Sequence, residues 1–225
     1  MKLIITGSEY TGKTTLGKRV EAWIEETMGK PLIGFHDHFT FPDVGHGDLE
    51  PEEYDQIRAL SPRLKSMFQN HQILYHINSS FLYDHDNLLI GFHLENAIYG
   101  PLYYGYPDDG VPETVSRVVE SHIMQHAPDT IMVMLKASPD AIRERMKDAP
   151  HPRGMLQESD VENVLQRFDE EFARSLIRYK FVIDTTTKTP NQTFATFLTE
   201  VQPLMRQEDQ VRILARKAIR EMELG

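Results

Sequence analysis

Short apolar runs alternate along this chain with longer stretches in which apolar residues recur every three or four positions. The runs Lys2–Thr6, Pro31–Phe35, Leu88–Phe92, Thr130–Leu135 and Phe181–Ile183 lack the apolar–polar alternation of a strand with one wet face. They read as strands covered on both sides. Between the first two, Leu16, Val20, Trp23, Ile24 and Thr27 stripe one side of a helix over Lys13–Met28, which Gly29, Lys30 and Pro31 end. From Glu52 to about Tyr83 the pattern is helical, broken at Ser61-Pro62, where serine caps and proline suits a first turn. Further helices are predicted over Pro112 to about His126, over 138–147 with Ser138 as cap, and over roughly Ser159–Tyr179. The last carries Val161, Val164, Leu165, Phe168, Phe172 and Leu176 on one face. Two more, about Gln192–Leu204 and Glu208–Met222, follow a final strand, while 36–50, Gly100–Val111 and Pro150–Gly154 read as loops. Strands alternating with helices predict an α/β protein with a mainly parallel sheet, in one domain over 1–225 without an internal repeat.

Composition narrows the function classes. The 225 residues hold 24 Lys+Arg against 34 Asp+Glu, a formal charge of −10, which argues against a nucleic-acid partner. With no cysteine, disulfides, thiolate-bound zinc and thiol nucleophiles are excluded. No apolar run approaches the ~18–20 residues that span a bilayer, and the opening Met-Lys-Leu-Ile-Ile-Thr has no signal-peptide core. A cytoplasmic location is expected, with no membrane partner. The oligomeric state, a homodimer among the options, is left open.

The strongest chemical signal is Gly7-Ser8-Glu9-Tyr10-Thr11-Gly12-Lys13-Thr14, a full match to the phosphate-binding pattern G-x-x-x-x-G-K-[ST] between a strand and a helix. Glycine turns let successive backbone N–H groups surround a β-phosphate at a helix N-terminus. Lys13 is then expected on the β- and γ-phosphates and the Thr14 hydroxyl on Mg²⁺, with Thr15 completing the loop. ATP and Mg²⁺ are the ligands this pattern implies.

Four further passages stand in order along the chain. They are His36-Asp37-His38 after the second strand, Met67-Phe68-Gln69-Asn70-His71-Gln72, Leu88 to Gly100 with Glu95-Asn96, and Ala141-Ile142-Arg143-Glu144-Arg145-Met146-Lys147. With the glycine loop they make the sequence resemble the P-loop nucleoside and nucleotide kinases, particularly the thymidylate-kinase and deoxynucleoside-kinase group. The resemblance implies a three-layer fold with a five-stranded mainly parallel sheet flanked by helices, and a small lid at about 143–158. It also implies a phosphotransferase acting on a nucleoside- or nucleotide-like acceptor. Asp37 matches the acidic residue beside the acceptor, the general base of nucleoside kinases, and a carboxylate at a parallel strand's carboxyl end faces the ligand crevice in any case. An Asp capping its own loop is the other reading. Gln69 matches a glutamine that pairs with a base edge, and Gln72 lies one turn on. Glu95 matches an acidic residue near Mg²⁺ or the acceptor, and is the second candidate metal ligand after Thr14. Tyr99 and Tyr103 fall where the family places aromatics, in a Tyr-rich stretch 99–106 that reads either as a substrate wall or as packed core, the commoner use, and His38 joins them as an acceptor-side candidate. Arg145 aligns with a lid arginine and Arg153 is a second, although Arg143 and Arg145 could instead pair with Asp140 or Glu144 on a solvated helix. Asn96 and Leu102 depart, each standing where the family has an arginine.

Other readings stay in view. His36, His38 and His46 raise a metal site, but at a spacing that matches no recurrent motif. An antibiotic, a sugar or a modified base in DNA would change the acceptor, not the chemistry. A regulatory ATPase would want an Asp at a strand's carboxyl end, whereas Asp84 and Asp86 precede the third strand.

Overall fold

The computed structural model describes residues 1–29, 34–37, 50–77, 86–105, 112–151 and 154–223, giving backbone alone for 34–37, 54 and 112–115. Strands β1 (Lys2–Thr6), β2 (Gly34–Asp37), β3 (Asn87–Ile90), β4 (Ile131–Lys136) and β5 (Tyr179–Asp184) form one sheet in the order β2-β3-β1-β4-β5. Every pairing is parallel, as the strand–helix alternation leads one to expect. Helices α1 (Lys13–Met28), α2 (Pro51–Arg58), α3 (Pro62–His76), α4 (His93–Tyr99), α5 (Pro112–His126), α6 (Pro139–Asp148), α7 (Val161–Arg174), α8 (Pro190–Val201) and α9 (Gln207–Glu223) surround it.

Side chains alternate across a strand, so the sheet serves two cores. Ile4, Leu89, Met132 and Met134 meet Ile73 of α3, Leu94 and Ile98 of α4, Ile123 of α5, Ile142 of α6 and Val164 and Phe168 of α7. Leu3, Ile5, Leu88, Ile90, Val133 and Leu135 meet Leu16, Val20 and Ile24 of α1 and Phe197 and Val201 of α8. This covering of both faces is why the strands read as unbroken apolar runs. No helix among the described residues is long and apolar enough to cross a membrane.

Two expectations need correction. The helix expected over Ser159–Tyr179 ends at Arg174, and Tyr179 already belongs to β5. The cause lies outside the segment. Glu120 of α5, fully buried, accepts hydrogen bonds from Ser175 Oγ (2.6 Å) and the Leu176 amide (2.7 Å), pulling those residues out of the helix. Leu176, placed by periodicity on the buried face, is 49% exposed. The stretch from Gly100, expected to be loop, instead extends α4 as a π-helical turn, Gly100–Tyr104, stopped by Gly105 at φ 70°. Leu102 packs there against the first core.

The N-terminal amine is buried between Asp86 and Asp209, and Arg212 bonds both oxygens of Asp86 (2.9 and 2.6 Å). This ion cluster sits at the amino ends of β1 and β3. It puts Asp86 at the opposite end of the sheet from the glycine loop, where the strand register anticipates it.

Candidate active site

The crevice of a parallel sheet lies beyond its carboxyl ends, at the point where successive connections diverge to either side. Here that point is β1, flanked by β3 and β4, and the glycine loop leaves from its end. The loop's conformation needs its glycines. Gly7 has φ 137°, and a Cβ there would run into the Leu135 carbonyl oxygen; Gly12 has φ 94° and opens α1. Tyr10 holds φ 64°, a conformation that a non-glycine residue adopts at a cost of about 1–3 kcal/mol and that clusters at ligand sites. The start of α1 has neither a side-chain cap nor an acidic residue in its first turn, so its leading N–H groups and dipole suit an anion. Thr14 and Thr15 stand on that first turn, Thr14 half-buried.

Lys13 lies at the centre. Its ammonium donates to the carbonyls of Gly7 (2.6 Å) and Ser8 (2.9 Å) and pairs with Glu95 Oε1 at 2.9 Å. Both side chains are nearly buried, at 11% and 6% exposure, so neither charge would be tolerated alone. Glu95 reaches this position because β3 ends in Gly91 at φ 86°, where a Cβ would stand 2.7 Å from Glu95 Oε2. Phe92, at φ 71°, completes the sharp turn into α4. The oxygen donors Thr14 and Glu95 are of the hard type that Mg²⁺ takes. Among the described residues no group of three or more His, Asp or Glu is placed to hold a metal ion, and the sequence's candidates His38 and His46 lie outside them.

The other residues singled out by sequence fall in different places. Asp37 closes β2 in register with Ile90, which is itself opposite Ile5, so its backbone shares a row with the strand ends beside Glu95 and the loop. His38 and Arg153 lie outside the described residues. Gln69 is buried on α3 and Gln72 half-buried one turn on. Tyr99, a substrate-wall or packed-core residue by sequence, takes the packed position, beneath the glycine loop. It is 2% exposed, edge-on to Phe168, and its hydroxyl accepts the Glu9 amide at 3.1 Å. Burial, then the charges of Glu95 and Glu9, hold its phenol well above the usual range. Tyr103 donates to Asp160 at the head of α7 (3.2 Å), and burial pushes its phenol up to about 12.

Arg145 does not face open crevice either. Its guanidinium donates to the carbonyls of Tyr10 (2.9 Å) and Thr185 (2.6 Å) and to the Thr185 hydroxyl (3.2 Å), bracing the glycine loop against the turn after β5. Thr185 Oγ1 ties that turn to Thr11 as well (3.0 Å). Asp184 accepts the Thr186 amide (2.8 Å), and hydrogen bonds from the Thr186 side chain and then its amide hold its carboxyl below the usual range, so it caps the turn. Arg143 donates to both carboxylate oxygens of Glu162 on α7 (2.6 Å each) and lies 3.9 Å from Asp140 on its own helix, the solvated-pair alternative with one further partner.

Two features were not legible in the motif. Glu9 occupies one of its unspecified positions, yet its carboxylate accepts the amides of Met155 (2.9 and 3.1 Å) and Leu156 (3.1 Å). Tyr10, in the next, accepts the His151 amide (3.0 Å) on its hydroxyl. Gly154 leaves room, since a Cβ there would lie 3.1 Å from Glu9 Oε2. Behind α4, the buried His93 Nε2 meets Glu120 Oε1 at 3.0 Å, and Arg117 pairs with Glu120 Oε2 at 2.8 Å. Burial opposes the charge of Glu120, but the bonds from His93, Ser175 and Leu176 prevail and hold its carboxyl below the usual range.

No protein-family model and no curated protein matches the chain. Solved structures do. The YorR protein of Bacillus subtilis in complex with phosphorylated GDP matches at 15% identity and TM-score 0.57, over 92% of this chain and all of its own. Deoxyadenosine kinase of M. mycoides with bound dATP matches at 13% and 0.57, over 89% and 99%. Thymidylate kinase of Candida albicans matches at 14% and 0.52, over 89% and 90%. The chain therefore has the fold of the P-loop kinases. Two of the neighbours named are a deoxyadenosine kinase and a thymidylate kinase, of the group the sequence resembles; at these identities the likeness is one of fold.

Proposed function

We propose that this chain is an ATP- and Mg²⁺-dependent small-molecule kinase that transfers the γ-phosphoryl group to a nucleoside- or nucleotide-like acceptor. The observation that carries the reading is Lys13, held at 2.9 Å from Glu95 at the mouth of a glycine loop shaped for polyphosphate. In this reading the loop amides from Gly7 to Thr15 bind the β-phosphate, and Lys13 exchanges its carbonyl partners for phosphate oxygens. Thr14 and Glu95 hold Mg²⁺, which when bound offsets charge on the transferring group. Asp37, at the neighbouring strand end, orients and deprotonates the acceptor. Arg145 acts through the loop it braces, and Arg153 supplies the charge over the phosphates.

A regulatory ATPase is the second reading. The place of Asp86 in an ion cluster at the amino end of β3 favours the kinase, since Asp86 lies far from any phosphate in the loop. The deciding experiment measures ADP release with nucleosides, nucleotides and sugars, each against a no-acceptor blank. Acceptor-stimulated release, reduced about 10²–10³-fold in Lys13→Ala, is expected. Hydrolysis that no acceptor stimulates would favour the ATPase, and activity in Lys13→Ala within tenfold of the parent would sink both.

A further inference from the structure

Helix α9 is inside out. A surface helix turns its apolar stripe to the core and its charges to water. On α9 the side facing the protein is mostly charged. Asp209 pairs with the N-terminal amine, Arg212 with Asp86 and Arg220 with Glu26, Arg216 lies along Gly29, and Ile213 joins the second core. The side facing away is apolar. Met222 and Leu214, 82% and 66% exposed, are the two most exposed large apolar side chains among the described residues. Val211 and Ile219 are exposed beside them, as are Ala215 and Ala218 between. At 3.6 residues per turn these six lie within about 140° of the helix circumference, as one stripe.

Two properties of the stripe fit it to a second copy of itself. The first is charge. The chain carries −10, yet α9 holds four acidic and four basic residues, so the helix itself adds no like-charge repulsion between two copies that meet on it. The second is symmetry. The six apolar residues pair off about one centre, between Arg216 and Lys217: Val211 with Met222, Leu214 with Ile219, and Ala215 with Ala218. A two-fold interface sets a patch against itself, with residue i on j and j on i. Two antiparallel copies of α9 that cross at this centre bring Ala215 against the partner's Ala218, where small side chains let the backbones approach. The larger residues toward both ends then fill the space as the helices diverge.

We infer that α9 is the interface of a homodimer, in which two copies of the chain pack antiparallel along this stripe. The apolar strip covers a few hundred Å², the extent of a functional patch and about half of the ~800 Å² that each partner gives a standard interface. The dimer is therefore of moderate strength and depends on concentration. It also leaves the candidate active site alone. Through Arg212 and Arg220 the helix lies over the amino end of β3 and the last turns of α1, away from the glycine loop, so each protomer keeps a complete crevice. The inference stands apart from the kinase reading.

Sedimentation equilibrium of the full chain tests it, between about 1 and 100 μM, a range suited to an interface at the small end of its class. The mass should rise with concentration toward twice the 26.0 kDa of the chain. Leu214→Glu buries a charge in the seam and should raise the dissociation constant at least ~10²-fold. Its circular dichroism should match the parent's, since the position is exposed in the protomer. The chain has no cysteine, so the register can be read by cross-linking. Ala215→Cys and Ala218→Cys proteins, mixed and oxidised, should form a covalent dimer faster than either does alone. Equal rates would overturn the antiparallel register. A parent that stays monomeric at ~100 μM, or a dimer that Leu214→Glu leaves intact, would overturn the interface. So would a monomer that binds phosphatidylcholine vesicles and loses that binding in Leu214→Glu, which would assign the stripe to a lipid surface.

Discussion

Glu9 offers the most direct test of how the glycine loop is joined to the segment between α6 and α7. Its carboxylate receives three contacts of 2.9–3.1 Å from two amides, those of Met155 and Leu156. Hydrogen bonds to a charged group are worth about 1.5–3 kcal/mol each when shielded. Glu9 is half-buried, so about 1–1.5 kcal/mol apiece is the appropriate scale, or roughly 2–3 kcal/mol for the pair. At 1.4 kcal/mol per tenfold, Glu9→Ala should raise the opening of residues 154–156 by about 30- to 150-fold. The glycine loop itself should stay in place, because Tyr99 holds Glu9 by its main-chain amide, which the substitution keeps. Amide hydrogen exchange read on peptides covering 151–158, with β4 peptides as the internal control, measures this. Glu9→Gln retains a neutral acceptor and should fall between the parent and Glu9→Ala. Exchange in 154–156 within threefold of the parent for Glu9→Ala would refute the latch, and faster exchange in β4 as well would assign Glu9 to global stability.

Three other substitutions probe separate parts. Asp37→Asn should lower turnover by ~10²–10⁴ while ATP affinity changes little, as expected for loss of a general base; an unchanged turnover would pass that role to Glu95. Glu120→Ala leaves His93 and Ser175 buried, and Arg117 partly buried, beside a void, so ~3–5 kcal/mol of stability should go, a melting temperature lower by roughly 6–20 °C. A melt within 2 °C of the parent would contradict that account. Burial disfavours the charge of Asp86, but Arg212 and the N-terminal amine outweigh it and lower its carboxyl to about 2. Its stabilising effect is therefore fully present above the unfolded carboxylate value of about 4 and lost as pH falls toward 2. Asp86→Asn should flatten the acid limb of the stability profile by ~2 kcal/mol, read by denaturant titration between about pH 6 and 2.5.

Much of this architecture was written in local pattern. The strand ends that carry Gly7, Asp37 and Gly91 follow from apolar runs broken by glycine or charge, and the caps Ser61, Gly29 and Ser138 stand where their residue types place them. The glycine loop was legible because its spacing is a main-chain requirement. Hidden were the features set by a distant partner. Periodicity carried α7 on to Tyr179 because nothing near Ser175 in sequence announces Glu120, 55 residues earlier. Tyr99 stayed open between ligand wall and packed core because an aromatic that packs beneath a loop and one that lines a pocket have the same residue type. Glu9 and Tyr10 were silent because the phosphate pattern leaves those positions free.

The brace behind α4 has a mechanical consequence. Glu95 travels with α4, and α4 is fastened through His93 to Glu120, which also fastens α5 and the run into β5. Displacing Glu95 would mean uncoupling all three from one carboxylate shared in the dark of the core, an event on the scale of unfolding and not of a working stroke. The arginine brace and the Glu9 latch are weaker and lie at the surface of the crevice. The chain is thus built like a vice with one fixed jaw, α4 and its carboxylate. In the kinase proposed above, the movement that accompanies turnover is expected on the opposite jaw, where Glu9 holds the amides of Met155 and Leu156.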